Sequence, residues 1–126
     1  MARAFVLSGG GNRGPLQVGA LRALLEAGIA PDFLVGTSAG ALNAVAFAAD
    51  PTPEGLERLA AAWLRVRRSD IYPGNLLTVV WRLATGRDSL FDSGGMRRVL
   101  QANLPPGVRT FGDLRRPCYV TAADLR

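Results

Sequence analysis

The segment Asp32–Ala44 constrains the fold more than any other part of the sequence. A short apolar run leads into the letters G-T-S-A-G, and an Ala-rich apolar stretch follows. This order predicts a strand, a sharp turn and a helix around a G-x-S-x-G motif. Gly36 and Gly40 would let the strand and the helix pack closely. Two interpretations stay open: Ser38 is a nucleophile at the amino end of the helix, or it is the N-cap of an ordinary turn.

A second glycine-rich segment follows the first predicted strand, residues 4–7, and precedes Pro15, which suits the first turn of a helix. The spacing Gly9-x-Gly11-x-x-Gly14 matches the dinucleotide-binding fingerprint. However, the second strand ends in the G-x-S-x-G turn, where a ribose-binding carboxylate should stand. A P-loop needs a Lys, and the sequence has none. Nucleotide binding is therefore the weaker interpretation.

The remaining sequence predicts an α/β fold with a mainly parallel sheet. Helical spacing indicates helices over 15–27, from the serine turn to about residue 49, from Pro53 to about residue 65, and after Ser93. A last strand is predicted over Cys118–Ala122, so strands and helices alternate. The predicted apolar face of the first helix contains Leu16, Ala20, Leu24 and Leu25, with Val18 and Leu21 flanking it. That of the third contains Leu56, Leu59, Ala60, Trp63 and Leu64. Because the sequence stops directly after a strand, we expect 1–126 to be part of a larger single domain.

Composition excludes several classes of protein. A hydrophobic content of 48% and a charged content of 20% exclude disorder. The net charge is +5 and all 15 basic residues are Arg, but their scattered positions favour a solvated surface over a nucleic-acid groove. The Arg, Ala, Gly, Leu and Pro usage indicates a GC-rich, bacterial genome. Cys118 is alone, which fits a reducing compartment, and it is predicted to be buried in a strand. We see no signal peptide or membrane-spanning segment and expect a cytoplasmic protein.

The two glycine-rich segments are expected to lie side by side, because adjacent parallel strands end at the same edge of a sheet. Gly9, Gly10 and Gly11 would present backbone N–H groups beside Ser38. Such groups stabilise the oxygen that becomes negative when a nucleophile attacks an acyl carbon, and the N–H of Ala39 would add another. The pair of motifs therefore predicts a serine nucleophile beside an oxyanion hole.

A general base is not evident. The sequence has no His, which excludes a Ser–His–Asp triad and leaves a Ser–Asp dyad. Asp32 lies at the start of its strand, at the opposite end from Ser38, so it is badly placed to act as the base. Asp124 is the one Asp that the topology could place near Ser38, and it reads more simply as an exposed residue at a strand end. The Asp residues that read as turn or cap residues are Asp50, Asp88, Asp92 and Asp113, and Asp70 is the remaining candidate.

The segments Leu7–Gly14 and Gly36–Ala44 resemble the patatin-like phospholipases, and most of all their bacterial branch, which includes relatives of the neuropathy target esterase catalytic domain. The resemblance extends from the first strand to Leu125. It implies a three-layer α/β/α fold and hydrolysis of acyl esters of phospholipids or lysophospholipids by a Ser–Asp dyad, with no metal or cofactor. The implied activity is that of a phospholipase, a lysophospholipase or a carboxylesterase.

The resemblance also implies the roles of particular residues. Ser38 would be the nucleophile, and the three glycines at 9–11 would build the oxyanion hole. Arg13 matches the basic position of that loop, although a surface Arg that caps a turn explains it equally well. The flanking Gly14, Gly36 and Gly40 complete the two motifs.

The sequence departs from the family pattern at the catalytic base. The catalytic Asp of the family lies in a D-G-G or D-G-A motif downstream of the nucleophile, and no Asp here precedes a Gly. The look-alike Asp92-Ser93-Gly94-Gly95 falls in a region between helices. We therefore expect the base to lie beyond this sequence, and the 126-residue chain alone to be inactive.

The expected partner is a lipid ester, with peripheral contact to a membrane surface and no nucleic acid. The segment Tyr72–Phe91 is either an interfacial lid or a helix packed on the core. The alternative function is a non-catalytic module that keeps the fold and binds a lipid or an anion at Gly9–Gly14. The sequence predicts no particular oligomeric state.

Overall fold

The computed structural model of the protein describes residues 1–67, Ala84 and 94–122. Within them, one parallel sheet has the strand order β1–β2–β3. Its strands are β1 (Ala4–Leu7), β2 (Phe33–Gly36) and β3 (Cys118–Val120). The register aligns Phe5 with Leu34, and Leu34 with Cys118. The predicted α/β fold with a parallel sheet is therefore confirmed, and the sheet is small and open.

The helices begin and end where their sequences predict. Those with described bounds are α1 (Gly14–Glu26), α2 (Ala39–Ala49), α3 (Pro53–Arg65) and α4 (Gly94–Asn103). Gly28 ends the first helical segment with a φ of 72°, in the left-handed region that glycine adopts without a steric cost. The Thr52 hydroxyl caps α3 by accepting a hydrogen bond from Gly55 N–H at 3.1 Å, and Pro53 follows it.

The core lies between the sheet and the helices. α2 packs against all three strands, while α1 and α3 pack against each other and against α2. The strand residues Phe5, Leu34 and Cys118 are buried on the α2 side of the sheet. α2 buries most of its surface, and its many Ala residues let it approach the strands closely. This contact sets the amino end of α2 directly above the end of β2.

The other face of the sheet stays largely open to solvent. Val6 and Tyr119 point away from α2 and are 72% and 61% exposed. Phe33 meets the Tyr119 ring edge-to-face, with ring centroids 6.1 Å apart. We call this surface the open sheet face; it consists of Val6, Phe33, Val35 and Tyr119. Within the described residues, the sheet therefore carries helices against one face.

Three predictions about apolar faces were wrong. Leu16 is 73% exposed and Ala20 is also exposed, because α1 buries the side that carries Val18 and Leu21. Leu16 lies on roughly the opposite side of the helix from Val18, since each residue advances the helix by about 100°. Leu64 is 88% exposed and lies outside the buried stripe of α3.

Several further predictions concern the carboxyl-terminal half of the chain. The last strand ends at Val120, two residues earlier than expected. Apart from Ala84, the proposed lid segment Tyr72–Phe91 lies outside the described residues, and so does the predicted cap Ser93. So do Asp70, Asp88, Asp92 and Asp124.

Candidate active site

The glycine loop after β1 and the serine turn after β2 are neighbours at one edge of the sheet. The Thr37 N–H donates a hydrogen bond to the Leu7 carbonyl oxygen at 3.0 Å, which joins the ends of the two strands. A Cβ atom built on Gly9 would lie 3.4 Å from the Cβ of Ser38. The parallel topology thus brings the two motifs together as predicted.

Ser38 has an unusual backbone conformation. Its φ is 53° and its ψ is −122°, and it is the one non-glycine residue with a positive φ in the described part of the chain. Such conformations cost on the order of 1–3 kcal/mol and persist where the surrounding structure enforces them. The Ser38 carbonyl accepts hydrogen bonds from Ala41 N–H at 2.9 Å and Leu42 N–H at 3.2 Å, which anchors the turn to α2.

The hydroxyl of Ser38 does not cap the helix. Ser38 occupies the N-cap position of α2, yet its side chain makes no capping hydrogen bond. The residue is exposed. The structure therefore does not have the hydrogen bond on which the N-cap interpretation depends, and the hydroxyl is accessible at the amino end of α2.

Two glycines let the strand and the helix meet at this turn. A Cβ on Gly36 would lie 2.5 Å from the Gly40 carbonyl oxygen and 2.6 Å from the Ala41 Cα. A Cβ on Gly40 would overlap the Leu7 carbonyl and come within 2.5 Å of the Ser8 oxygen. The two glycines of G-x-S-x-G therefore have a steric cause, because backbone atoms occupy the space that a side chain at either position would need.

The backbone N–H groups around Ser38 form a set of free donors. Within the described residues, the N–H groups of Gly9, Gly10, Gly11 and Ala39 have no hydrogen-bond acceptor. That of Ala39 belongs to the first turn of α2, where helix geometry leaves N–H groups unpaired and the helix dipole favours negative charge. These unpaired donors belong to the four residues that the sequence predicts for an oxyanion hole beside Ser38.

Arg13 lies at the end of the glycine loop. Its backbone N–H donates to the Gly10 carbonyl oxygen at 3.0 Å, and the residue stands at the N-cap position of α1. The side chain is exposed and forms no ion pair with a described carboxylate. Both interpretations of this Arg, a functional cation and a surface residue that caps a turn, are compatible with this position.

A buried amide network behind the glycine loop was missed by the sequence reasoning. Asn43 is fully buried in α2; its Nδ2 donates to the Gly14 carbonyl at 3.0 Å and to Gln17 Oε1 at 2.9 Å. Its Oδ1 accepts from Trp63 Nε1 at 2.7 Å, and Gln17 Nε2 donates to the Ser8 carbonyl at 2.6 Å. The available signal was a single amide in an otherwise apolar helix.

The third strand also holds the serine turn. Thr121 N–H donates to the Gly36 carbonyl at 3.1 Å, and the Thr121 hydroxyl donates to the Thr37 hydroxyl at 2.9 Å. Thr37 is the residue directly before Ser38. The turn is therefore braced from β1 on one side and from the end of β3 on the other.

The described Asp residues have structural partners. Asp32 accepts from the Arg3 N–H at 2.6 Å at the amino end of β2, so it does lie at the wrong end of its strand. Asp50 bonds to Arg58 and to the Thr52 hydroxyl. Asp113 accepts from the N–H groups of Arg109 at 2.9 Å and Thr110 at 2.7 Å, and these bonds lower the pKa of its carboxyl. The turn and cap roles predicted for Asp50 and Asp113 are confirmed.

Other groups in the described chain do not join the site. None of the hydrogen bonds made by the described carboxylates reaches Ser38. Cys118 is buried in β3 as predicted, and burial raises the pKa of its thiol. In residues 1–67 and 94–122, no group of three or more Cys, Asp or Glu side chains is arranged to hold a metal ion. No helix there combines the length and the apolar character that a bilayer crossing requires.

Comparison with known proteins identifies the family. The family model for patatin-like phospholipases matches residues 5–122, which is nearly the whole chain. The chain therefore belongs to the patatin-like phospholipase family, and the predicted family is confirmed. No solved structure gives a significant match.

Several curated relatives are similar over part of the chain. The patatin-like phospholipase domain-containing proteins ZK370.4 of Caenorhabditis elegans and 7 of Rattus norvegicus are each 47% identical over 62 residues. That stretch is 49% of this chain and 5% of each relative. The lysophospholipase nte1 of Aspergillus terreus is 56% identical over 46 residues, which is 36% of this chain and 3% of that protein. The chain thus matches a small part of much longer proteins.

Proposed function

We propose that this chain carries the nucleophile and oxyanion hole of a serine acyl hydrolase that acts on lipid esters. The observation that carries the proposal is the juxtaposition of the exposed, backbone-strained Ser38 with free N–H groups from Gly9–Gly11 and Ala39. Membership of the patatin-like phospholipase family supports the same chemistry. The substrate class is a phospholipid, a lysophospholipid or a related carboxylic ester, as the name of the fungal relative suggests.

In the proposed reaction, the Ser38 oxygen attacks the ester carbonyl carbon while its proton passes to a carboxylate base. The carbonyl oxygen becomes an oxyanion that accepts hydrogen bonds from the loop N–H groups and from Ala39. Each such donor typically contributes about 3–4 kcal/mol of transition-state stabilisation. The C–O bond then breaks, and the leaving alcohol takes the proton from the base.

The second half of the reaction regenerates the serine. Water attacks the acyl-enzyme carbonyl carbon and gives its proton to the same carboxylate, and the same N–H groups hold the second oxyanion. Collapse of this intermediate expels the Ser38 oxygen, which recovers the proton, and releases a fatty acid. We assign the base to an Asp downstream of 1–126, as the family resemblance implies, and we expect the chain alone to be nearly inert.

A non-catalytic module is the alternative function. The free N–H groups of Gly9–Gly11 and the amino end of α2 would bind a phosphate or carboxylate without any covalent step. In both proposals the protein is cytoplasmic and meets lipid at a membrane surface, with neither a metal nor a cofactor. Nucleotide binding is the least supported alternative, and a titration with NAD(P)H tests it.

The experiment that separates these functions is intact-mass measurement after treatment with a fluorophosphonate. It uses the 126-residue chain, the same polypeptide extended through the downstream Asp, and Ser38→Ala in the extended form. We expect one adduct on the extended protein and none on Ser38→Ala or on heat-denatured protein. If neither unmodified form gains an adduct, Ser38 is not an activated nucleophile and the binding module is the better account.

A further inference from the structure

We propose that Gln17 and Asn43 are positioning residues that hold the oxyanion loop in register with Ser38. The oxyanion loop is the segment Ser8–Gly14, and the amide bridge is the pair of side chains Gln17 and Asn43. This inference rests on the proposed function and assigns it two residues that neither motif contains.

The amide bridge connects the nucleophile helix to both ends of the loop. Asn43 lies in α2, whose first turn follows Ser38, and its Nδ2 reaches the Gly14 carbonyl at the end of the loop at 3.0 Å. Through Gln17, it also reaches the Ser8 carbonyl at the start of the loop, at 2.9 and 2.6 Å. The free N–H groups of the three glycines lie between these two anchored carbonyls.

The direction of every hydrogen bond in the bridge follows from one donor. The indole N–H of Trp63 can only donate, so Oδ1 of Asn43 must face it, at 2.7 Å. Asn43 Nδ2 therefore faces Gln17 Oε1, and Gln17 Nε2 in turn must face the Ser8 carbonyl. Trp63 also packs directly on Gly14, where a Cβ atom would overlap its ring. The hydrogen bonds therefore run from Trp63 through the amide bridge to the loop, and neither amide group can be flipped without losing them.

Burial makes the Asn43 side of this arrangement rigid, whereas Gln17 is half-buried and its hydrogen bond to the Ser8 carbonyl is exposed. Asn43 is 0% exposed, and no buried side-chain N or O atom among the described residues lacks a partner. Leaving a buried amide unpaired is unfavourable, so alternative side-chain orientations are suppressed. The loop needs such support, because three successive glycines restrict the backbone less than any other residues.

The position of the loop matters for chemistry more than for binding. Oxyanion donors must lie within about 2.7–3.1 Å of the oxygen as charge develops. A displacement of about 1 Å lowers the rate on the order of 100-fold. Because this contact strengthens in the transition state, its loss reduces kcat and leaves KM almost unchanged.

The test uses Gln17→Glu in the extended, catalytically complete protein with a soluble acyl ester. The introduced carboxylate still accepts from Asn43 Nδ2, but at neutral pH it cannot donate to the Ser8 carbonyl. We expect kcat at pH 8 to fall 10- to 100-fold, with KM within about twofold of the unmodified value. Gln101→Glu, on the exposed surface of α4, is the matched control and should change neither parameter.

A pH profile separates positioning from simple destabilisation. When the carboxyl group introduced by Gln17→Glu is protonated, it regains an O–H donor for the Ser8 carbonyl. The kcat ratio of Gln17→Glu to unmodified protein should therefore rise as the pH falls from 8 to 5. Dividing by the unmodified protein removes the titration of the catalytic base. Gln17→Leu, which can never donate, should show a low ratio at every pH.

The outcomes distinguish the two proposals. If the unmodified protein is active and Gln17→Glu has the same kcat, or if its ratio does not recover at low pH, the positioning role is wrong while the hydrolase function stands. If the unmodified extended protein neither turns over the ester nor takes a fluorophosphonate adduct, the hydrolase function is wrong and the positioning role is overturned with it.

Discussion

Ser38 adopts backbone angles that glycine would adopt at little cost, since its φ is 53°. A residue with a Cβ atom is strained there whatever its side chain does. The structure therefore maintains an unfavourable conformation at the one position where the proposed chemistry needs a hydroxyl. The strain arises from the backbone conformation and not from the hydroxyl group. Substitutions at Ser38 can therefore remove the hydroxyl group either with or without relieving the strain.

We predict that Ser38→Gly is more stable than Ser38→Ala by about 1 kcal/mol, because glycine relieves the positive φ and alanine does not. Neither variant should react with a fluorophosphonate. Chemical denaturation of both variants measures the difference in the free energy of unfolding. Equal stabilities would show that the turn is not strained in solution.

Asn43 shows what sequence reasoning can and cannot find at this scale. Ser38, Gly36 and Gly40 were recognisable because a short motif encodes a local turn whose geometry needs those residue types. Asn43, Gln17 and Trp63 come from three separate helices, and no spacing in the sequence relates them. Their contacts exist only after the helices pack, so only the structure could reveal the network.

At the scale of elements, the contact between β1, β2 and α2 determines the site. Gly40 brings the first turn of α2 against the carbonyl groups of Leu7 and Ser8 at the end of β1. Gly19 is also a helical glycine, in α1, but a Cβ there would meet nothing within 4 Å. The same residue type therefore serves close packing in one helix and has no steric role in the other.

We predict opposite effects for alanine at these two glycines. Gly19→Ala should stabilise the protein by about 0.5–1 kcal/mol through helix propensity. Gly40→Ala should destabilise it by about 1–3 kcal/mol or more, because the added methyl group forces α2 away from β1. Thermal or urea unfolding of the two variants checks the signs. A stable Gly40→Ala protein would contradict the close contact seen here.

The strands and helices themselves were largely predictable, because their signals are local. Pro53 after a capping Thr52, and Gly28 after α1, mark helix boundaries within a few residues of sequence. The burial of individual faces was harder to predict. Leu16 and Leu64 carry apolar side chains at positions that face away from the neighbouring helices, and hydrophobicity alone does not specify which side another element will cover.

At the scale of the whole molecule, β3 brings distant sequence to the site. Cys118 pairs with Leu34 in the sheet and is 8% exposed, and Thr121 then reaches the serine turn. The parallel order of the strands followed from the alternation of strands and helices. The contact of Thr121 with Thr37 could not be predicted, because it depends on where β3 inserts relative to β2.

Cys118 can report on the integrity of this whole arrangement. Burial blocks access to its thiol and raises its pKa, so the reactive thiolate is scarcer in the folded protein than in the unfolded chain at pH 8. We predict slow labelling by a thiol reagent under native conditions, with a denaturant dependence that matches global unfolding. Fast labelling without denaturant would mean that β3 detaches from β2 on its own.

The parallel pairing of the strands also sets an order of events during synthesis. The bond between Arg3 and Asp32 joins β1 to β2 across 29 residues, whereas that between Thr37 and Thr121 spans 84. Shorter loops close at a lower entropic cost, and nearby contacts form sooner. On a translating ribosome, the glycine loop would therefore meet the serine turn before β3 has been made. The edge of the sheet that carries Ser38 takes shape first, and β3 is added to it later.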